Sequence, residues 1–154
     1  MSTRLSGTLD NPITNGSDGD NSWIILAEVE LHVNGHIMVP ELAGWKKSQL
    51  KISPEELFDK PFIEEVPHWV CEIISPSSAG NDKIKKRKTY LDIGINYYWI
   101  IDPALELLEA YQSEQKQNWS EIGIYGGNSK VFVKPFEDIE IDLGNLWPPR
   151  KPQF

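Results

Sequence analysis

Trp69-Val70-Cys71-Glu72-Ile73-Ile74 reads as a strand buried on both faces, an apolar run with a single carboxylate set into it. Ser75-Pro76-Ser77-Ser78 follows as a turn, and Asn81 or Asp82 then caps a helix that runs to Ile93 and stops at Gly94. Tyr97 to Ile101 (YYWII) is a second buried strand, ended by Asp102-Pro103. Upstream, Trp23–Val33 and His36–Trp45 are two β-rich runs around Asn34-Gly35, the strongest short-range signal for a hairpin with a type I′ turn. Ser53-Pro54-Glu55-Glu56 starts a short helix through about Asp59, which Pro61 ends. Downstream, strands are expected at Leu105–Gln112, Trp119–Tyr125 and Lys130–Val133, with a turn at Gly126-Gly127-Asn128. A helix between two apolar strands, flanked by hairpins, makes the class mixed α/β.

The chain has 154 residues and 40% hydrophobic content, enough for one domain with its own core. Residues 1–21 are polar and read as loop, residues 22–149 as the single domain, and 150–154 as a tail. One cysteine, Cys71, rules out an intrachain disulfide and suits a reducing compartment. No apolar run has the length of a membrane span and no signal core opens the chain, so a cytoplasmic location is expected. The net charge of -8 argues against a protein that merely coats nucleic acid. It is compatible with an enzyme whose acidic site holds a divalent cation.

Glu72 is the first candidate for chemistry, because a carboxylate in an apolar strand loses solvation unless something compensates it. The plain alternative is a glutamate that faces water or pairs with a surface lysine. Glu41, in MVPELAGW, has a similar setting. A two-residue turn at Asn34-Gly35 pairs residues whose numbers sum to 69, which puts Glu28 opposite Glu41, with Glu30 nearby on the same face. Facing carboxylates about 5 Å apart repel unless one is protonated or a cation lies between them. Ile24, Leu26, Ile37, Val39 and Ala43 share that face in this register, which argues against a merely wet acidic patch.

Lys86 stands out within the basic run 83–88. At ~100° per residue, Ile84, Tyr90, Leu91 and Ile93 are expected to mark the inward arc of the helix, with Lys86 between Ile93 and Tyr90. Lys85, Lys88, Thr89 and Asp92 point away, and Lys83 and Arg87 lie at the boundary, where they can snorkel or meet a phosphate. Cys71 alternates with Glu72 and is expected to be a packed core thiol. His32, His36 and His68 show no metal-ligand spacing.

Val39-Pro40-Glu41-Leu42-Ala43-Gly44-Trp45, Pro67–Ser77 with its Glu72-Ile73-Ile74-Ser75-Pro76-Ser77 core, Asp82…Lys86…Tyr90, Tyr98-Trp99-Ile100-Ile101-Asp102-Pro103 and Ile141-Asp142-Leu143 resemble the Uma-type restriction endonucleases of the PD-(D/E)xK superfamily. The resemblance runs from about Trp23 to Pro149. It implies a restriction-endonuclease-like mixed central sheet with flanking helices and C-terminal β-hairpins, and Mg²⁺-dependent (or Mn²⁺-dependent) cleavage of DNA. DNA is then the substrate, no membrane is involved, and a homodimer is one assembly to test.

On this resemblance the catalytic set is Glu41, Glu72 and Lys86, with the metal on Glu41 and Glu72 and with Glu28 or Glu30 as further acids. The family carries Pro-Asp where this chain has Pro40-Glu41, and often again where it has Pro67-His68. Position 41 is the better metal ligand, because His68 and Glu72 would be roughly 13 Å apart along one strand. The family usually begins with a longer helical segment, to which Arg4–Leu9 corresponds in part. The competing reading is a catalytically degenerate nuclease-fold module acting in binding or assembly.

Overall fold

A computed structural model of the chain describes residues 22–74, 81–115 and 117–148. In chain order the elements are β1 (Trp23–Ala27), β2 (Leu31–Val33), β3 (His36–Met38), β4 (Leu42–Lys46), the single-turn α1 (Pro54–Leu57) and β5 (Trp69–Ile73). They continue with α2 (Asn81–Ile93), β6 (Tyr97–Asp102), β7 (Leu107–Glu114), β8 (Asn118–Gly126), β9 (Lys130–Val133) and β10 (Phe136–Asp142). Short 3₁₀ turns follow β4 and β10. The N-terminal segment, the Ser75–Ser78 turn and the end of the tail lie outside the described residues.

Six strands form the central sheet in the order β1-β4-β5-β6-β7-β8. Only β5 and β6 run parallel, and α2 is the crossover between them; every other pair in this sheet is antiparallel. Alternation along the strands makes two cores. On one face Trp23, Leu42, Trp69, Cys71, Trp99 and Ile101 pack beneath the β9–β10 hairpin, with Leu143, Leu146 and Trp147. Trp69, Trp99 and Phe136 meet edge to face at ring separations of 5.1–5.4 Å. The Trp99 indole N–H donates to the Lys134 carbonyl at 2.8 Å, tying the hairpin to the sheet. On the other face Ala43, Trp45, Val70, Tyr98 and Ile100 receive α2 through Tyr90 and Ile93. Cys71 is fully buried, as expected, and burial pushes its thiol pKa well up.

The first hairpin keeps the predicted register in both of its paired parts. Trp23 pairs with Lys46, Ala27 with Leu42, and Leu31 with Met38. Asn34 and Gly35 both have positive φ, as a type I′ turn requires. The expectation of two unbroken strands was wrong, however. At Glu28 the backbone turns into the left-handed region (φ 53°), and the ribbon splits into β1–β4 within the main sheet and a separate β2–β3 pair. Across this break the inward positions change parity: Ile24 is buried in β1, but Leu31 and Val33 are buried in β2. Ile37 and Val39 therefore do not share a buried face with Ala43; they are 66% and 53% exposed.

Two further boundaries differ from expectation. The helix begun at Ser53 is one turn long and ends at Leu57. Phe136–Asp142 forms a strand that the hydrophobic pattern did not reveal, because Glu137, Asp138 and Glu140 interrupt it. Among the described residues no helix is long and apolar enough to cross a membrane.

Candidate active site

Glu72 and Ser22 are the only buried polar or charged residues among those described. Trp69 and Cys71 turn to the hairpin-side core, so alternation aims Val70 and Glu72 at α2. There the Tyr90 hydroxyl donates a hydrogen bond to Glu72 Oε1, and Lys86 Nζ lies 3.5 Å from Glu72 Oε2.

The end of α2 fixes this approach. Gly94 adopts φ 93°, its N–H donates to the Leu91 carbonyl, and the Ile95 N–H reaches back to the Tyr90 carbonyl at 3.1 Å. That is a Schellman closure with its apolar follower, Ile95, fully buried. Tyr90 is itself fully buried, edge to face with Tyr98.

The expected inward arc needs correcting. Ile84 is 68% exposed and does not face the sheet. Counting ~100° per residue from Tyr90, Lys86, Ile93, Lys83 and Arg87 fall within about 60°, whereas Ile84 lies about 120° away. Three of the five inward positions are cations, so an apolar-arc reading was bound to misplace the face. Lys86 nevertheless lies beside Glu72.

Glu41 immediately precedes the neighbouring strand β4, and its charge is felt at Glu72. The antiparallel pairing of Leu42 with Cys71, Ala43 with Val70 and Gly44 with Trp69 puts Glu41 level with Glu72 when continued by one step. On the opposite face Gly44 lies tightly under the tryptophans, where a Cβ would sit 3.0 Å from the Trp69 ring and 3.3 Å from that of Trp23. Burial raises the pKa of Glu72 and the neighbouring Glu41 charge adds to the rise, while Tyr90 and Lys86 partly offset it.

Glu28 is exposed, and its backbone N–H donates to the Glu41 carbonyl at 3.0 Å, as the register required. The Glu30 carboxylate is engaged by His32 Nε2 at 2.7 Å. Neither is assembled with Glu41 and Glu72 into a cluster: among the described residues no three acid, His or Cys side chains gather as a metal-binding group. His68 takes a different role, its Nδ1 accepting the Lys46 backbone N–H at 3.0 Å. Burial lowers the pKa of its imidazole.

A second group, not singled out from the sequence, adjoins the first. Glu109 of β7 pairs with Ile100 of β6, which in turn lies level with Glu72 of β5. Its Oε2 lies 3.8 Å from Lys83 Nζ and its Oε1 accepts from the Tyr111 hydroxyl at 3.2 Å. The Arg87 guanidinium stacks on the Tyr111 ring, 4.3 Å from its centre. Burial, assisted by Glu109, raises the Tyr111 pKa.

Two carboxylates, one on β5 and one just before β4, are the all-oxygen donors that a hard divalent cation would select. Burial is the main reason the Glu72 pKa is raised, and the smaller contribution from the Glu41 charge is one that such a cation would offset. With two protein carboxylates, the rest of the coordination shell must come from backbone, water or phosphate oxygens. A small cavity of about 30 Å³ opens here, bordered by Glu72, Lys83, Lys86, Tyr98 and Ile100. Replacing Tyr90 by phenylalanine keeps the ring packing and removes the hydroxyl from Glu72. The expected destabilisation is about 1–3 kcal/mol, measured by urea denaturation at neutral pH.

The architecture is that of a nuclease fold. A solved structure titled "a putative nuclease belonging to DUF820" from Anabaena variabilis superposes with a TM-score of 0.69 at 16% identity, over 95% of this chain and 77% of that one. The chain belongs to the Uma2 family, described as "Putative restriction endonuclease", which matches residues 2–144. The match starts well before Trp23, so the polar N-terminal segment falls within it. No curated protein matches the sequence.

Proposed function

We propose that this chain is a Mg²⁺- or Mn²⁺-dependent endonuclease that hydrolyses DNA phosphodiester bonds. The observation that carries the reading is the buried Glu72, 3.5 Å from Lys86 and level with Glu41 just before β4. A divalent cation on Glu41 and Glu72 supplies, when bound, Lewis acidity toward water and phosphate oxygens. Tyr90 fixes the orientation of the Glu72 carboxylate through its hydroxyl. Lys86, half-buried on the rigid helix, offsets phosphate charge and orients the attacking water.

Purified protein is expected to nick supercoiled plasmid with Mg²⁺ or Mn²⁺ and not with EDTA. Lys86→Ala is expected to lower the rate by about 100-fold or more, a loss of ~3 kcal/mol in transition-state stabilisation. Undiminished nicking by both Lys86→Ala and Glu72→Gln would refute the assignment.

The Lys86–Glu72 ion pair favours one other reading, a nuclease-fold module that works without metal, its lysine already neutralising the buried acid. Calorimetric titration with Mn²⁺ separates the two. The enzyme binds a cation that Glu72→Gln weakens, and the inert module binds none at this site.

A further inference from the structure

The geometry points to Lys83 as a second phosphate-binding residue at this site, held in reserve by Glu109. Lys83 and Lys86 are three residues apart on α2 and so project from the same side of it. Both border the cavity at Glu72, although only Lys86 is paired with that carboxylate. Lys83 leans instead toward Glu109, one strand beyond β6, at 3.8 Å. That separation is too long for a hydrogen bond, and the Lys83 side chain is 39% exposed, so the pair holds the ammonium only weakly.

The cavity can take a water-sized group and no nucleotide. A DNA phosphate must therefore rest at its mouth, against the two lysines. Glu109 has a second hold, the Tyr111 hydroxyl, and the Arg87 guanidinium stacked on Tyr111 adds a positive charge next to it. The carboxylate thus stays partnered when Lys83 leaves it for a phosphate. Lys83 acts as a substrate contact and Glu109 as its positioning residue and competitor. The substrate is taken from the nuclease reading, but the contact can be tested without turnover.

The test is fluorescence anisotropy of a labelled DNA duplex, titrated with the full chain in Ca²⁺ buffer across a salt series, alongside a separate Mn²⁺ nicking assay. Lys83→Gln is expected to weaken binding roughly fivefold at low salt and to reduce the slope of log affinity against log salt by about one. Lys83→Arg restores the slope. Glu109→Gln tightens binding, because it removes the competitor. Lys85→Gln, on the exposed outer side of the helix, leaves the slope unchanged.

Nicking by the wild type with no slope change in Lys83→Gln overturns this proposal and spares the nuclease reading. A slope change without nicking supports the phosphate contact and refutes the nuclease. An equal change in Lys85→Gln also overturns the proposal, since the effect is then diffuse charge. Absence of DNA binding by the wild type overturns it outright.

Discussion

Glu72→Gln is expected to abolish metal-dependent nicking while making the folded protein more resistant to denaturation as pH rises above the ordinary carboxylate range. Activity falls because the amide is a poor ligand for a hard cation. Even residues that only support a metal ligand cost about 10–100-fold when lost, so more than a 100-fold drop is expected here. Stability moves the other way. Burial raises the Glu72 pKa above its unfolded value, so the folded state holds this proton more tightly than the unfolded chain. The associated stability is complete below the unfolded pKa and is lost as pH rises through the folded one. A glutamine carries no such loss and can still accept the Tyr90 hydrogen bond. The ion pair that it forfeits involves a Lys86 side chain 38% exposed, and such pairs contribute little. Urea midpoints measured from about pH 4 to pH 8, around and above the ordinary carboxylate range, should shift progressively in favour of the variant. A constant difference across that range would show that Glu72 is not the buried titrating acid.

The largest structural loss is expected at Trp99. Trp99→Ala empties a fully buried site between Trp69 and Phe136 and removes the donor to the Lys134 carbonyl. Large-to-small changes of this kind cost about 3–5 kcal/mol, a large part of the ~5–15 kcal/mol that stabilises a typical domain. A variant that survives should loosen first at the β9–β10 hairpin, whose Phe136 packs on this ring. Hydrogen exchange at the amides of Val131 and Val133 would report that opening. Exchange at β5 should remain slower, because Glu72 and Val70 are covered from the other side by α2.

The features that local chemistry dictates were legible in the sequence. The type I′ turn at Asn34-Gly35 and the glycine stop at Gly94 each require a backbone conformation that few residues adopt, and the hairpin register followed from the first. The acid inside an apolar strand, Glu72, is buried as its pattern implied. What could not be read depends on contacts between elements. The parity change at Glu28 places an ordinary glutamate in the left-handed region, and nothing local marks it. On α2 a helix face is normally recognised by its apolar residues, yet Lys83, Lys86 and Arg87 face inward because the sheet beneath carries Glu72 and Glu109. Glu109 itself looked like any polar position in an alternating strand.

The β4–β5 pairing also constrains how the first hairpin can change in length. Glu41 comes level with Glu72 because it directly precedes Leu42, which pairs with Cys71. A single extra residue between Glu41 and Leu42 would leave β4 in place and carry the carboxylate to the opposite face, above the tryptophans. Two extra residues would return a side chain to the correct face but leave Glu41 a full pleat short of its partner. Lengthening at Asn34-Gly35 disturbs neither. Natural or engineered variation of this arm should therefore collect at its tip, while the stretch entering β4 stays fixed in length.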